Sequence, residues 1–256
     1  MQTKTELLAK ISDKEDRMLL SSVYDKLEQS YQRNYSVFSD FLDERQVSMV
    51  KSFFPFWKDQ LSFFGGIQNA GRNFCYLQFG YEQFPVKLLE LSFPKEANVT
   101  HRDILGSLMG LGIKRQKIGD ILVGEPGKSS VVAVKEEIVS YILESLTSVG
   151  RYPVSIRILE NVTVTMEEKC SYRSTTVSAL RLDCIVADIT RLSREKAKDL
   201  ILLGRIKVNH FEETNYKKLL SLGDLISISK KGRFALSEIE GITRKDRIKI
   251  TIKKYE

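Results

Sequence analysis

The residues of this chain best suited to chemistry are cations at short spacing: Arg194, Lys196 and Lys198 in one stretch, then Arg205 and Lys207. Such groups attract phosphate, because each phosphate they neutralise releases condensed counterions and adds salt-sensitive affinity. Their location sharpens the point. Residues 181–256 hold 18 Lys and Arg against 11 Asp and Glu, whereas the preceding 180 residues hold 22 of each, so the whole net charge of +7 lies in the last third. A solvated Lys-rich surface would have the same composition, so the decision falls to where these side chains must point.

Other constellations point to weaker chemistry. Gly124-Glu125-Pro126-Gly127-Lys128-Ser129 has two residues between its glycines where a nucleotide-binding P-loop needs four, and a strand follows it where a helix should, so a hairpin turn is expected. His101 and His210 are 109 positions apart, and neither lies beside a candidate nucleophile, which argues against acid/base catalysis. Cys75, Cys170 and Cys184 have neither the even number of a disulfide framework nor the close pairing of a zinc site. No cofactor or metal is expected. Arg102, Lys114, Arg115 and Lys117 gather around one helix and its exit loop and are secondary candidates for touching RNA.

The elements that position the main cations follow from periodicity. Leu182, Ile185, Val186 and Ile189 recur at helical spacing, which predicts a helix over Arg181–Thr190 with one buried stripe. Ser193 can cap a second helix whose inner face is Ala197, Leu200 and Ile201 and whose stop is Gly204. Arg194, Lys196 and Lys198 are then left near solvent, at the positively polarised helix start. Arg205–Asn209 alternates, sending Ile206 and Val208 inward and Arg205 and Lys207 outward; further strands are expected near 224–229 and 247–254, with a turn at Gly223-Asp224.

Upstream, residues 1–59 read as helical, with a capping pattern from Ser12 to Glu15, an apolar stripe of Met18, Leu19, Val23 and Leu27, and a second helix ended by Pro55. The cluster Phe53, Phe54, Phe56, Trp57, Phe63 and Phe64 is expected to fill a core rather than stack bases. From 60 to 163 strands near 61–67, 73–80, 85–93, 117–123, 129–134 and 152–160 alternate with helices at 101–111 and 135–149, the first capped by Thr100 and Asp103. This predicts an α+β sandwich with helices on one face of a mainly antiparallel sheet. Residues 164–176, rich in Thr, Ser and Glu, read as a linker, and 177–256 as the last domain.

Arg181-Leu182-Asp183, Ser193-Arg194 with Ala197 and Ile201, Gly204-Arg205-Ile206-Lys207-Val208-Asn209, and Gly223-Asp224 with Ile226 and Ile228 resemble the motif of the S4 RNA-binding domain in order and spacing. The resemblance implies RNA-facing positions at Arg181, Ser193, Arg194, Lys196, Lys198, Arg205, Lys207 and Asn209. It also implies structured RNA, recognised by shape and phosphate more than by bases. Thr100-His101-Arg102-Asp103-Ile104-Leu105-Gly106, Gly112-Ile113-Lys114-Arg115 and Ile118-Gly119-Asp120-Ile121 resemble the middle domain of the YlmH family, whose members end in an S4 domain. One departure is Gly71, where that pattern has an acidic residue before Arg72. The likeness implies association with the large ribosomal subunit and with quality control of stalled nascent chains; with apolar runs too short for a membrane span and no organised catalytic groups, the expectation is a cytoplasmic, monomeric, non-catalytic protein that binds rRNA or tRNA without a membrane partner.

Two alternatives stand beside it. Pseudouridine synthases linked to S4 domains have a catalytic Asp in an Arg-Leu-Asp motif, which would make the protein an RNA-modifying enzyme; here that tripeptide opens the S4 helix itself, and Asp183 reads as a helix-start carboxylate pairing with nearby cations. A cell-division scaffold is the other.

Overall fold

The computed structural model describes residues 4–9, 11, 13–80, 83–126, 128–160, 164–165, 170–244 and 246–255. The chain forms two compact units, Met1–Met166 and Glu167–Glu256.

The first unit opens with helices α1 (Lys4–Leu8), α2 (Lys14–Arg33) and α3 (Glu44–Phe53). Leu20, Val23, Tyr24 and Leu27 recur at helical spacing and form the buried stripe of α2. Asp13 caps α2 by accepting from the Asp16 amide; Ser12, expected to open the capping pattern, lies outside the described residues. Asp43 and Gln46 make a reciprocal capping box on α3, and Pro55 follows its end. These helices share a core with the hairpin of β1 (Leu61–Phe64) and β2 (Phe74–Leu77). Phe54 and Trp57 are buried in that core, as the aromatic density predicts.

The middle of the unit is a four-stranded antiparallel sheet built from β3 (Val86–Ser92), β4 (Ile118–Leu122), β5 (Ser130–Lys135) and β8 (Ser155–Leu159), in the order β4-β5-β3-β8. Between its strands run α4 (His101–Gly110), α5 (Val139–Ser145) and the short pair β6 (Ser148–Val149) and β7 (Tyr152–Pro153). Strand alternation divides the side chains. Leu89, Leu91, Val132 and Val134 meet Ile104 and Leu108 of α4 and Val139 and Ile142 of α5, whereas Leu88 and Ala133 join Phe41, Ile67, Phe74 and Tyr76. Helices thus cover one face, and the expected sandwich is what forms. Thr100 and Asp103 cap α4 reciprocally. The 124–129 segment joins the antiparallel strands β4 and β5; its Gly127 lies outside the described residues.

The second unit is a six-stranded antiparallel sheet with two helices. Its elements are β9 (Cys170–Val177), α6 (Leu182–Thr190), α7 (Arg194–Leu202), β10 (Ile206–Val208), β11 (Phe211–Glu212), β12 (Leu225–Ile228), β13 (Gly232–Ile242) and β14 (Ile248–Tyr255). The strand order is β11-β10-β12-β13-β14-β9. Leu182, Ile185 and Val186 of α6, Ala197 and Ile201 of α7, and Ile206, Val208, Ile226, Ile250 and Ile252 of the sheet form one aliphatic core. A fully buried side chain such as Ile201 or Ile206 stabilises it by roughly 1.5–3 kcal/mol. Gly204 ends α7 at φ 65°, a left-handed backbone that favours glycine.

The linker expectation needs correction. Cys170–Val177 is a full strand, paired residue for residue with the last strand, Ile248–Tyr255. Its polar sequence reflects an outer strand whose first residues are open to solvent. Residues 166–169 of the expected connection lie outside the described residues.

Candidate nucleic-acid interface

Asp183 organises the cations of the second unit. Arg181 sits at the N-cap of α6 and donates from Nε and Nη2 to the two oxygens of this carboxylate at 3.0 and 2.8 Å. Arg194, at the start of α7, donates from Nη2 to the same carboxylate at 2.8 Å. Burial would raise the Asp183 pKa, but the hydrogen bonds from Arg194 and Arg181 outweigh it and hold the carboxyl below its ordinary value. The expectation that Asp183 pairs with nearby cations is met. The consequence for Arg181 and Arg194 is mixed: each is tied on one side, yet the Arg194 side chain remains 54% exposed and Arg181 30%. The clamp fixes two guanidinium groups without covering them.

Three further cations of the second unit are held only by the backbone beneath them. The Ser193 hydroxyl accepts from the Lys196 amide and caps α7, while Ala197 and Ile201 turn inward and leave Lys196 exposed. Arg205 and Lys207 are exposed beside buried Ile206 and Val208, as alternation requires. Among the described residues no side-chain hydrogen bond or ion pair engages Lys196, Arg205 or Lys207.

Lys198 is half-buried, with Nζ 4.8 Å from the centre of the Tyr216 ring. Lys217 and Arg181 approach the same ring at 5.8 and 6.0 Å. Sequence reasoning missed this tyrosine. An aromatic next to Lys217-Lys218 in a polar loop was the available signal, since cation–aromatic interleaving is a recurrent base-stacking surface.

Asn209 departs from the resemblance. It adopts φ 50°, its amide nitrogen donates to Asp224 at 2.8 Å, and its amide oxygen accepts from the Leu225 backbone at 3.0 Å. Both ends of the side chain brace the start of β12, so Asn209 is a structural brace.

The secondary candidates in the first unit divide in the same way. Arg102 and Lys114 are exposed near the two ends of α4. Arg115 instead donates to the carbonyls of Ile118 and Gly119 at 2.5 and 3.3 Å, and burial, reinforced by neighbouring Arg72, pushes its pKa down to about 10. Lys117 is bonded to Asp40 at 2.7 Å and Glu137 at 2.6 Å. Both side chains are engaged within the fold. Gly71 adjoins the same network: the Arg72 amide donates to buried Asp120, and a side chain at Gly71 would point at the carboxylates of Asp120 and Glu44. An acidic residue there would meet two like charges.

Among the described residues no group of three His, Cys, Asp or Glu could hold a metal ion, and no helix is long and apolar enough to cross a membrane.

Comparison with known proteins follows these boundaries. Residues 80–163, a range that contains the four-stranded sheet, match the family model described as "Putative RNA-binding domain in YlmH". The "Ribosome-associated protein quality control protein P2" of Bacillus subtilis (strain 168) is 31% identical over 229 residues, covering 85% of this chain and 87% of that protein. The chain belongs to the YlmH family. A solved YlmH structure, the "Cell division protein ylmH from Streptococcus pneumoniae", superposes with a TM-score of 0.50 at 19% identity, covering 59% of this chain and 94% of that one. At that identity it supports a common YlmH fold, here a mixed arrangement of helices and antiparallel sheets.

Proposed function

We propose that this YlmH-family protein binds structured RNA without turning it over, and that residues 177–256 act as its S4-type RNA-binding domain. The observation that carries the reading is the open set Lys196, Arg205 and Lys207, together with the partly exposed, Asp183-clamped Arg181 and Arg194, on elements that share one aliphatic core. Guanidinium and ammonium groups pre-positioned in this way suit phosphate oxygens and recognise shape more than sequence. The excess positive charge of the same residues adds long-range attraction.

The matched family model and the printed name of the Bacillus subtilis relative support RNA on the ribosome as the partner. Within this proposal the RNA is rRNA or tRNA on the large subunit, the setting is quality control of stalled chains in the cytoplasm, and the protein acts as a monomer. Arg102 and Lys114 supply secondary contacts from the first unit.

The test is co-sedimentation of the full chain with large ribosomal subunits across a salt series, beside the variant Lys196→Glu/Arg205→Glu/Lys207→Glu. The parent is expected to bind with steep salt dependence and the variant to lose at least about a hundredfold in affinity. Undiminished binding by a folded triple variant would remove the reading. Incubation with unmodified rRNA, followed by nucleoside mass analysis, is expected to show no altered nucleotide.

A further inference from the structure

Four arginines from separate parts of the second unit line one open depression of about 440 Å3: Arg173 on β9, Arg191 at the end of α6, Arg194 at the start of α7, and Arg247 just before β14. Among the described residues the only carboxylate lining it is Asp188, and that charge is already matched, by Arg173 Nη2 at 2.5 Å and the Thr175 hydroxyl at 2.8 Å. Arg247 donates from Nε and Nη2 to the hydroxyl and carbonyl oxygens of Thr176 at 3.0 and 2.5 Å. Those acceptors are neutral, so they orient the guanidinium without cancelling its charge. Arg191 is exposed, and no hydrogen bond or ion pair engages its side chain among the described residues. Its backbone is left-handed, at φ 56°, in a position where Gly or Asn would be less strained.

A depression with four guanidinium groups and one matched carboxylate is strongly anion-attracting, and two of its arginines are oriented in advance. A depression of the first unit, about 520 Å3, shows the contrast: it has Arg45, Arg72 and Arg115 but also Glu15, Asp16, Asp40 and Asp43, which would repel a phosphate. Arg173, Arg191 and Arg247 lie outside the S4-like motif, yet Arg194 belongs both to this depression and to the Asp183 clamp, so the two surfaces are continuous.

We infer that this depression is a second phosphate site, which takes a backbone phosphodiester of the same RNA that the S4-like face engages. The inference rests on the proposed function and adds a contact to it. Guanidinium forks match phosphate oxygens in bidentate geometry, and contacts of this kind add affinity and register without sequence preference.

The experiment compares the full chain with Arg191→Asn, Arg247→Gln and the double variant, measuring affinity for purified large-subunit ribosomal RNA against salt. Asn tolerates the left-handed backbone, and Gln can keep a hydrogen bond to Thr176. Far-UV circular dichroism checks folding; if Arg247→Gln unfolds, Arg191→Asn carries the test alone. Each variant is expected to lower the slope of log affinity against log salt by about 1 and to weaken binding equally for unrelated structured RNAs. A parent that binds RNA, with variants of unchanged slope, overturns the second site and leaves the proposed function standing. A parent that binds no RNA overturns both. Loss of binding to phosphatidylserine vesicles with an unchanged RNA slope would assign the depression to lipid headgroups and likewise overturn the inference.

Discussion

The two compact units use the same cationic residues in opposite ways. In Met1–Met166, Arg72 donates to the carbonyls of Ile118 and Phe41, Arg115 to those of Ile118 and Gly119, Lys117 to two carboxylates, and buried Lys135 to the Ser39 carbonyl at 2.5 Å. In Glu167–Glu256, Lys196, Arg205 and Lys207 have no such acceptor among the described residues, and Arg181 and Arg194 share one carboxylate while facing solvent. Arg72, Arg115, Lys117 and Lys135 of the first unit are spent on the fold, whereas Lys196, Arg205 and Lys207 of the second are displayed. Charge counted along a sequence therefore overstates the charge available to a partner wherever backbone carbonyls can absorb it.

Substitutions can sharpen this contrast, and the largest effect should come from the one residue that serves both purposes. Asp183→Ala leaves two guanidinium groups without their shared acceptor at a buried site and is expected to cost the second unit about 3 kcal/mol, toward the low end for a broken buried pair because both arginines reach solvent. Chemical unfolding followed by amide NMR of residues 170–255 would measure it. A loss under 1 kcal/mol would mean the clamp is ornamental.

Arg115→Ala should cost the first unit about 2 kcal/mol through lost charge-assisted bonds to carbonyls, while RNA affinity stays within twofold. Trp57, the single tryptophan and buried in that unit, makes intrinsic fluorescence a selective probe of its unfolding.

The pH response offers a smaller test. Burial pushes the Lys135 pKa from 10.5 down to about 8. The unfolded chain therefore keeps that proton across a window in which the folded chain has released it, and this group makes the first unit more stable as pH rises from 8 toward 10.5, by at most about 1.4 kcal/mol per pH unit. Cys75 acts in the opposite sense, since burial raises its thiol to about 11 and stability is lost between its ordinary value of 9 and that point. Denaturation midpoints at pH 8 and 9, compared with Lys135→Met, isolate the lysine, and the variant should show a flatter profile. An identical slope would place Lys135 among the displayed cations.

The smallest effect on stability belongs to Arg205→Ala and Lys207→Ala, expected to shift the unfolding midpoint by no more than about 0.5 kcal/mol while RNA binding falls clearly. Thermal unfolding alongside the binding titration would separate the two readouts.

Local periodicity made much of the second unit legible. The apolar repeats of α6 and α7, the left-handed stop at Gly204 and the alternation of β10 specify which side chains go inward, so the outward placement of Lys196, Arg205 and Lys207 followed without coordinates. β13 was not legible, because register shifts between Leu236 and Glu238 and between Ile239 and Gly241 break its alternation. β9 was hidden for another reason: its leading residues face solvent, and only its ladder with β14, some 70 residues further on, makes it a strand.

Sequence by itself determined the α+β class, the family likeness and the side of each short element that carries charge, because these depend on repeats within a few residues. Only tertiary structure decided that Asp183 joins Arg181 to Arg194, that Asn209 braces Asp224, that Arg115 and Lys117 turn into the fold, and that Arg173 and Arg247 share a depression. Some of these pairings, such as Lys117 with Asp40, join residues far apart in the chain, and which oxygen a guanidinium or ammonium reaches depends on how strands and helices pack, something no local pattern encodes.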